Sequence, residues 1–138
     1  MKTAILAFPT VLALAAPAFA AGDVAAGEQA FALCKACHSV VTPAGEALVK
    51  GGKLGPNLFG VVGRQVANDS GYALYGDAIR SVGATGLIFS ARELESYMTD
   101  PAQWIRERTG NPDSKSRMTG KTPGSQADIV AYLQSLRQ

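Results

Sequence analysis

The side chains with the most chemistry to offer stand together: Cys34, Lys35, Ala36, Cys37 and His38 form a C-x-x-C-H run. Two thiols at that spacing can add to the two vinyl groups of a haem, and an imidazole directly after them then reaches the iron from one side. Three other chemistries fit part of the pattern. A thioredoxin-like redox pair also uses C-x-x-C, but no βαβ pattern surrounds this one. A structural zinc site takes four ligands, and the chain has only 2 cysteines and 1 histidine to give. A disulfide across two intervening residues is rare and strained. Covalent haem attachment uses all three side chains.

A single histidine leaves the other side of an iron to a different ligand. The chain has 3 methionines, Met1, Met98 and Met118, and the first stands in a leader segment. Met98 shares the apolar face of a predicted helix with Leu94 and Tyr97, where a methionine ordinarily fills core. Met118 stands between Arg117 and Thr119 in a polar loop, where packing gives no reason for it. A thioether held in such a loop suits iron and raises its reduction potential. Met118 is therefore the candidate ligand, with Met98 as its competitor.

These residues need elements to hold them. The leader has a basic start at Lys2, an apolar stretch from Ala4 to Ala16 and the cleavage pattern Ala18-Phe19-Ala20, so residues 1–20 are expected to be a signal peptide cut after Ala20. Retention as a membrane anchor is the competing reading; Pro9 and Pro17 interrupt the apolar run. Residues 21–138 then make one domain. Without Lys2 the charge falls from +2 to +1, 12 basic residues against 11 acidic, which gives nucleic-acid binding no global support. Asp23 is placed to cap a helix running through Val24, Gly27 and Phe31 to Cys34. From Ser39 to Asp77, glycine, proline, asparagine and serine recur at short intervals, and the segment reads as loop with short helical pieces. Such a long irregular stretch makes sense around a cofactor. Ser90-Ala91-Arg92-Glu93 is a capping box for a helix ended by Asp100-Pro101. A short helix through Trp104 to Arg108 follows, then loop from Thr109 to Gly124. Ser125 to Asp128 opens a last helix with Ile129, Tyr132, Leu133 and Leu136 on one stripe. The predicted fold class is all-α with long loops.

The chain resembles the class I cytochromes c, and most closely their larger soluble bacterial c-two branch. Five segments match in order: Gly22-Asp23 with Gly27, Glu28 and Phe31; Cys34 to His38; Gly55-Pro56-Asn57-Leu58-Phe59-Gly60-Val61-Val62-Gly63-Arg64; Leu94 to Pro101; and Lys115 to Met118 followed by Asp128 to Leu133. The resemblance implies a small cytochrome c fold over 21–138, with crossing terminal helices and loops wrapped around one covalent haem c. It implies that the Pro56 carbonyl accepts a hydrogen bond from the free nitrogen of His38, that Arg64 reaches a haem propionate, that Tyr97 bonds near the methionine sulfur, and that Met118 is the axial methionine. Gly27 and Phe31 match residues where the first helix crosses the last, facing Tyr132. There are departures. Phe89 stands where many relatives have a propionate-bonding tryptophan, Trp104 takes a packing position, and Thr119-Gly120-Lys121 lacks a usual apolar residue.

By the same resemblance the chain is a monomeric one-electron carrier of the periplasm and no enzyme. A quinol-oxidising cytochrome bc-type complex is its expected donor, and a terminal oxidase or photosynthetic reaction centre its acceptor. Lys35, Lys50, Lys53, Lys115, Arg117 and Lys121 are expected to ring the haem edge and steer docking. Two other functions stay open on the residues: a dedicated electron-transfer subunit of a periplasmic oxidoreductase, and a ligand-binding cytochrome with an open iron site.

Overall fold

The computed structural model describes residues 22–137, so the expected signal peptide and its cleavage after Ala20 lie outside the described residues. Asp23 starts the first element: its carboxylate accepts the Ala26 amide at 2.9 Å and caps α1 (Val24–Ala30). The periodicity predicts one helix to Cys34, but the chain tightens at Phe31 into a 3-10 helix (Phe31–Ala36) that contains Cys34. The Cys34 carbonyl then accepts the amides of both Cys37, at 3.1 Å, and His38, at 2.9 Å. The backbone thus curls over the motif and fixes its two sulfurs relative to the imidazole.

The next forty residues are loop, as their composition requires, with one correction to an all-α reading. Val40–Val41 (β1) and Ala47–Val49 (β2) pair antiparallel, with a register shift at the bulge. The segments are apolar and partly β-branched, and the Thr42–Gly45 turn closes them with a 2.9 Å hydrogen bond. A second element, α2 (Asp77–Ala84), is also absent from the sequence reading. Its cap position is Gly76, which has no side chain to signal a start, and glycine recurs inside it at Gly83. Its partly buried Ala78 and Ile79 and its buried Val82 nevertheless pack on the core.

Ser90 caps α3 (Ala91–Thr99) by accepting the Glu93 amide at 3.2 Å. Only half of the predicted capping box forms. The Glu93 carboxylate turns away to accept the Trp104 indole N–H at 2.9 Å and to pair with Arg108 at 2.6 Å. Asp100 takes extended backbone, which ends α3, and its side chain caps α4 (Pro101–Thr109) through the Gln103 amide at 3.0 Å. Pro101 follows at the first helical position, where a missing N–H costs nothing. The final helix, α5 (Gln126–Ser135), buries Ile129, Val130, Tyr132 and Leu133.

The terminal helices cross as the sequence leads one to expect, and Gly27 is the point of crossing. A methyl group on Gly27 would overlap the Asp128 carbonyl and come to 2.9 Å from Tyr132 Cβ. Beside it the Phe31 and Tyr132 rings meet with centroids 5.5 Å apart, and the Asp23 amide donates to the Asp128 carboxylate at 2.8 Å. Gly27→Ala sets two effects against each other. Alanine is favoured in a helix by about 1 kcal/mol, while overpacking a tight contact costs about 1–3 kcal/mol. Here the overlapped atom is backbone and cannot turn aside, so overpacking wins. The variant is expected to melt below the parent; a melting temperature at or above the parent's would show that the crossing has slack.

Candidate functional site

The site begins with His38, half-buried under the loop that follows the hairpin. Its Nδ1 lies 2.8 Å from the Pro56 carbonyl. A carbonyl can only accept, so Nδ1 carries the proton and Nε2 keeps its lone pair for another partner. Burial pulls the His38 pKa down, and the bond to Pro56 draws it part of the way back. The ring is neutral at neutral pH, the form that ligates a metal. The loop lies against the imidazole because residue 55 has no side chain: a Cβ on Gly55 would stand 2.6 Å from Nδ1 and 2.7 Å from Nε2. It is anchored to the motif's own backbone, with the Gly52 amide bonded to the Lys35 carbonyl and the Gly55 amide to the Cys37 carbonyl, each at 2.8 Å. Cys34 is partly buried and Cys37 exposed, and both sulfurs are free. Burial, followed by the neighbouring Cys37, pushes the Cys34 thiol up.

These residues form one wall of a cavity of about 420 Å³, and α3 with the Met118 loop forms the other. Both methionines reach it. Met98 is 5% exposed and embedded in the core, whereas Met118 is a partly buried loop residue that packs only on the core's margin. The loop is drawn back to α3 by the Thr122 amide, which donates to the Met98 carbonyl at 3.1 Å. Tyr97 also lines the cavity. Burial pushes its phenol up, and the adjacent Ser116 hydroxyl draws it partly back. Even so, Ser116 Oγ and Thr122 Oγ1 are both buried without a hydrogen-bond partner of good geometry. Phe89 and Trp104 stack behind Tyr97, with centroids 5.4 Å and 5.1 Å from its ring. Trp104 is a packing residue, its N–H satisfied by Glu93.

Two of the expected roles fall on residues that also have partners within the protein. Arg64 lines the cavity, yet its guanidinium donates to the carbonyls of Asn57 at 2.8 Å and Phe59 at 3.2 Å. It clips the 57–64 loop, and any reach towards an anion in the cavity is shared with that work. The basic ring is also less free than its composition suggests. Lys121 pairs with Asp100 at 2.6 Å, and Arg117 donates to the Leu74 carbonyl at 3.1 Å. Arg117 and Lys121 stay exposed all the same, and Lys35, Lys50, Lys53 and Lys115 are exposed too.

Sequence reasoning missed a group that fixes the Pro56 loop from outside. The Asn57 side chain accepts the Val41 amide at 2.9 Å and donates to the Val41 carbonyl at 2.7 Å, while its own amide donates to Asp69 at 2.9 Å. The signal was present in Asp69-Ser70-Gly71: an aspartate two residues before a glycine commonly folds back on the later amide, as Asp69 does at 3.0 Å.

No protein-family model matches the chain. Among individual proteins, cytochrome c-550 of Paracoccus versutus is 48% identical over 136 residues, which cover 96% of this chain and 88% of that protein. Cytochrome c2 of Rhodobacter capsulatus is 42% identical over 125 residues, 91% of this chain and 90% of its own. Two solved structures superpose closely. The ferric cytochrome c-550 of Paracoccus versutus gives a TM-score of 0.81 at 46% identity, covering 85% of this chain and 99% of that one. The cytochrome c2 of Paracoccus denitrificans gives 0.81 at 42% identity, covering 84% and 97%.

A helical shell of this topology, closed over a cavity with a C-x-x-C-H motif in its wall, and identity at this level over most of the chain make one class: the chain belongs to the class I c-type cytochromes. Within them it is of the c2 type, as the Rhodobacter and Paracoccus relatives show. It is an electron-transport protein whose cofactor is one covalently bound haem c. The residues fit that group. Two sulfurs and a neutral imidazole stand on one wall and a thioether on the other. The unpartnered Ser116 and Thr122 hydroxyls suit a guest with acceptor oxygens. Gly55 lets the loop pack against the imidazole where a side chain would displace it.

Proposed function

We propose that residues 21–138 form the mature cytochrome c domain of a periplasmic one-electron carrier, exported by the 1–20 signal peptide, in which Cys34 and Cys37 bind the haem and His38 and Met118 hold its iron. The observation that carries this reading is the shared cavity: both thiols, His38 and Met118 line it from opposing elements. The haem supplies one-electron exchange between Fe(III) and Fe(II). His38 keeps one tautomer through Pro56, so that Nε2 serves as ligand in either oxidation state. With His38 on one side, Met118 would hold the iron from the other and leave no open position for a substrate, the arrangement a carrier needs. Tyr97, Ser116 and Thr122 place their hydroxyls around the methionine side, and the Phe89, Tyr97 and Trp104 rings exclude water there. Low polarity and a thioether ligand both favour the less charged ferrous form. No helix among the described residues is long and apolar enough to cross a membrane.

The partners we infer are a quinol-oxidising cytochrome bc-type complex as donor and a terminal oxidase or photosynthetic reaction centre as acceptor. The exposed Lys35, Lys50, Lys53 and Lys115 would steer such encounters. Replacing Lys50, Lys53 and Lys115 by glutamate is expected to slow electron exchange with an isolated bc-type complex at low salt and leave the visible spectrum unchanged. Exposed charges are screened over about 8 Å at physiological ionic strength, so the deficit should shrink as salt rises. Equal rates at every salt concentration would remove the lysines from docking.

Ligation has its own test. Met98→Leu is nearly volume-conserving and should cost less than about 1.5 kcal/mol, with the sulfur-to-iron absorption band at the red end of the ferric spectrum retained. Met118→Leu should abolish that band, lower the potential and admit cyanide or carbon monoxide. A band that survives in the Met118 variant and vanishes in the Met98 variant would reverse the assignment. A band absent from the wild type would instead favour a ligand-binding cytochrome.

A further inference from the structure

The peptide group that holds His38 has a second end. Its carbonyl, from Pro56, accepts the Nδ1 proton at 2.8 Å, and its N–H, from Asn57, donates to Asp69 Oδ2 at 2.9 Å. A single amide therefore stands between a carboxylate and the imidazole. An amide that donates to an anion becomes a better acceptor at its oxygen, since hydrogen bonds in a chain polarise one another by about 10–30% per bond, and a charged partner makes the stronger bond. The geometry of this relay is held on all sides. The two bonds between the Asn57 side chain and the Val41 backbone fix the amide plane. The Gly71 amide holds the other Asp69 oxygen at 3.0 Å. Arg64 donates to the Asn57 carbonyl, one peptide further on. The salt bridges among the described residues are Arg108–Glu93 and Lys121–Asp100, and Asp69 is in neither.

We propose that Asp69 is a positioning residue for His38 that acts through the 56–57 peptide, strengthening the Nδ1 hydrogen bond and biasing the iron towards its ferric state. A stronger acceptor at Nδ1 makes the ring more basic at Nε2, and a more electron-rich ligand favours the higher charge. The inference rests on the reading of His38 as an iron ligand. It assigns to Asp69 an influence opposite to that of the methionine side of the pocket.

The test uses the haem-loaded protein with Asp69→Asn, which keeps an acceptor and removes the charge, and Asp69→Ser as a second neutral variant should the first fail to hold haem. Two quantities are read: the midpoint potential against a redox dye, and the nuclear magnetic resonance position of the His38 Nδ1 proton. Both neutral variants are expected to raise the potential and move that proton upfield, with the sulfur-to-iron band unchanged. Asp69→Glu, which keeps the charge, should lie nearer the wild type in both. Either quantity left at its wild-type value in the neutral variants overturns the proposal: a raised potential with an unmoved proton is distant charge alone, and a moved proton with an unmoved potential is local geometry alone. A wild type whose His38 ring shows no iron-shifted signals overturns the ligation reading as well, so the two failures are told apart before any variant is made.

Discussion

His38 has two ring nitrogens, and the fold claims one so that the other is left for the iron we propose it holds. The 2.8 Å contact with the Pro56 carbonyl decides the tautomer and the angle of the ring, and nearly every local feature around it serves that contact. Gly55 removes the side chain that would collide with the imidazole. The Gly52 and Gly55 amides bind the loop to the backbone of the very motif that carries the cysteines. Asn57 stitches the next peptide to β1, which explains a two-strand hairpin in an otherwise helical protein. Burial keeps the imidazole neutral. A charged ring would be unable to ligate, and a rotated one would be unable to reach.

The helices supply the frame rather than the chemistry. The crossing of α1 and α5 at Gly27 closes one end of the shell, and the Phe31–Tyr132 contact fills it. Helix α3 packs on α5 and on α4, and α3 and α4 are coupled through Glu93. That carboxylate receives Trp104 and Arg108 together, so the aromatic layer behind the methionine side is set by a polar group at its edge. Between the two ends the chain buries a modest apolar core and keeps a cavity in its middle. A domain of this size buries only about two thirds of its unfolded surface, and an apolar haem in that cavity adds contacts the polypeptide lacks.

Much of this was legible in the sequence because the deciding residues act locally. Asp23, Ser90 and Asp100 cap helices from within one turn, and the Cys34 to His38 spacing specifies its own chemistry. Gly27 is picked out as the crossing by the family resemblance, and the need for a residue without a side chain at a close approach agrees with it. What escaped notice depends on long-range partners. The hairpin is too short to show an alternating pattern, and α2 begins on a glycine with no capping side chain. Glu93 was read as half of a capping box because its true partners, Trp104 and Arg108, lie a helix away. Arg64 and Lys121 line the cavity as expected, and what the motif does not show is the carbonyls and the carboxylate that also engage them. Asp69 stands in a segment that the sequence marks only as loop, and the fold brings it to the peptide that holds His38.

The features of the described residues converge on one claim, that Cys34 and Cys37 fasten a single haem against His38. The mass of the protein made in the periplasm of a host with haem-attachment machinery tests it most directly. The account predicts residues 21–138 plus one haem, stable to denaturation and acid, with the added mass on the peptide that contains both cysteines. An unmodified chain with a Cys34–Cys37 disulfide would contradict it.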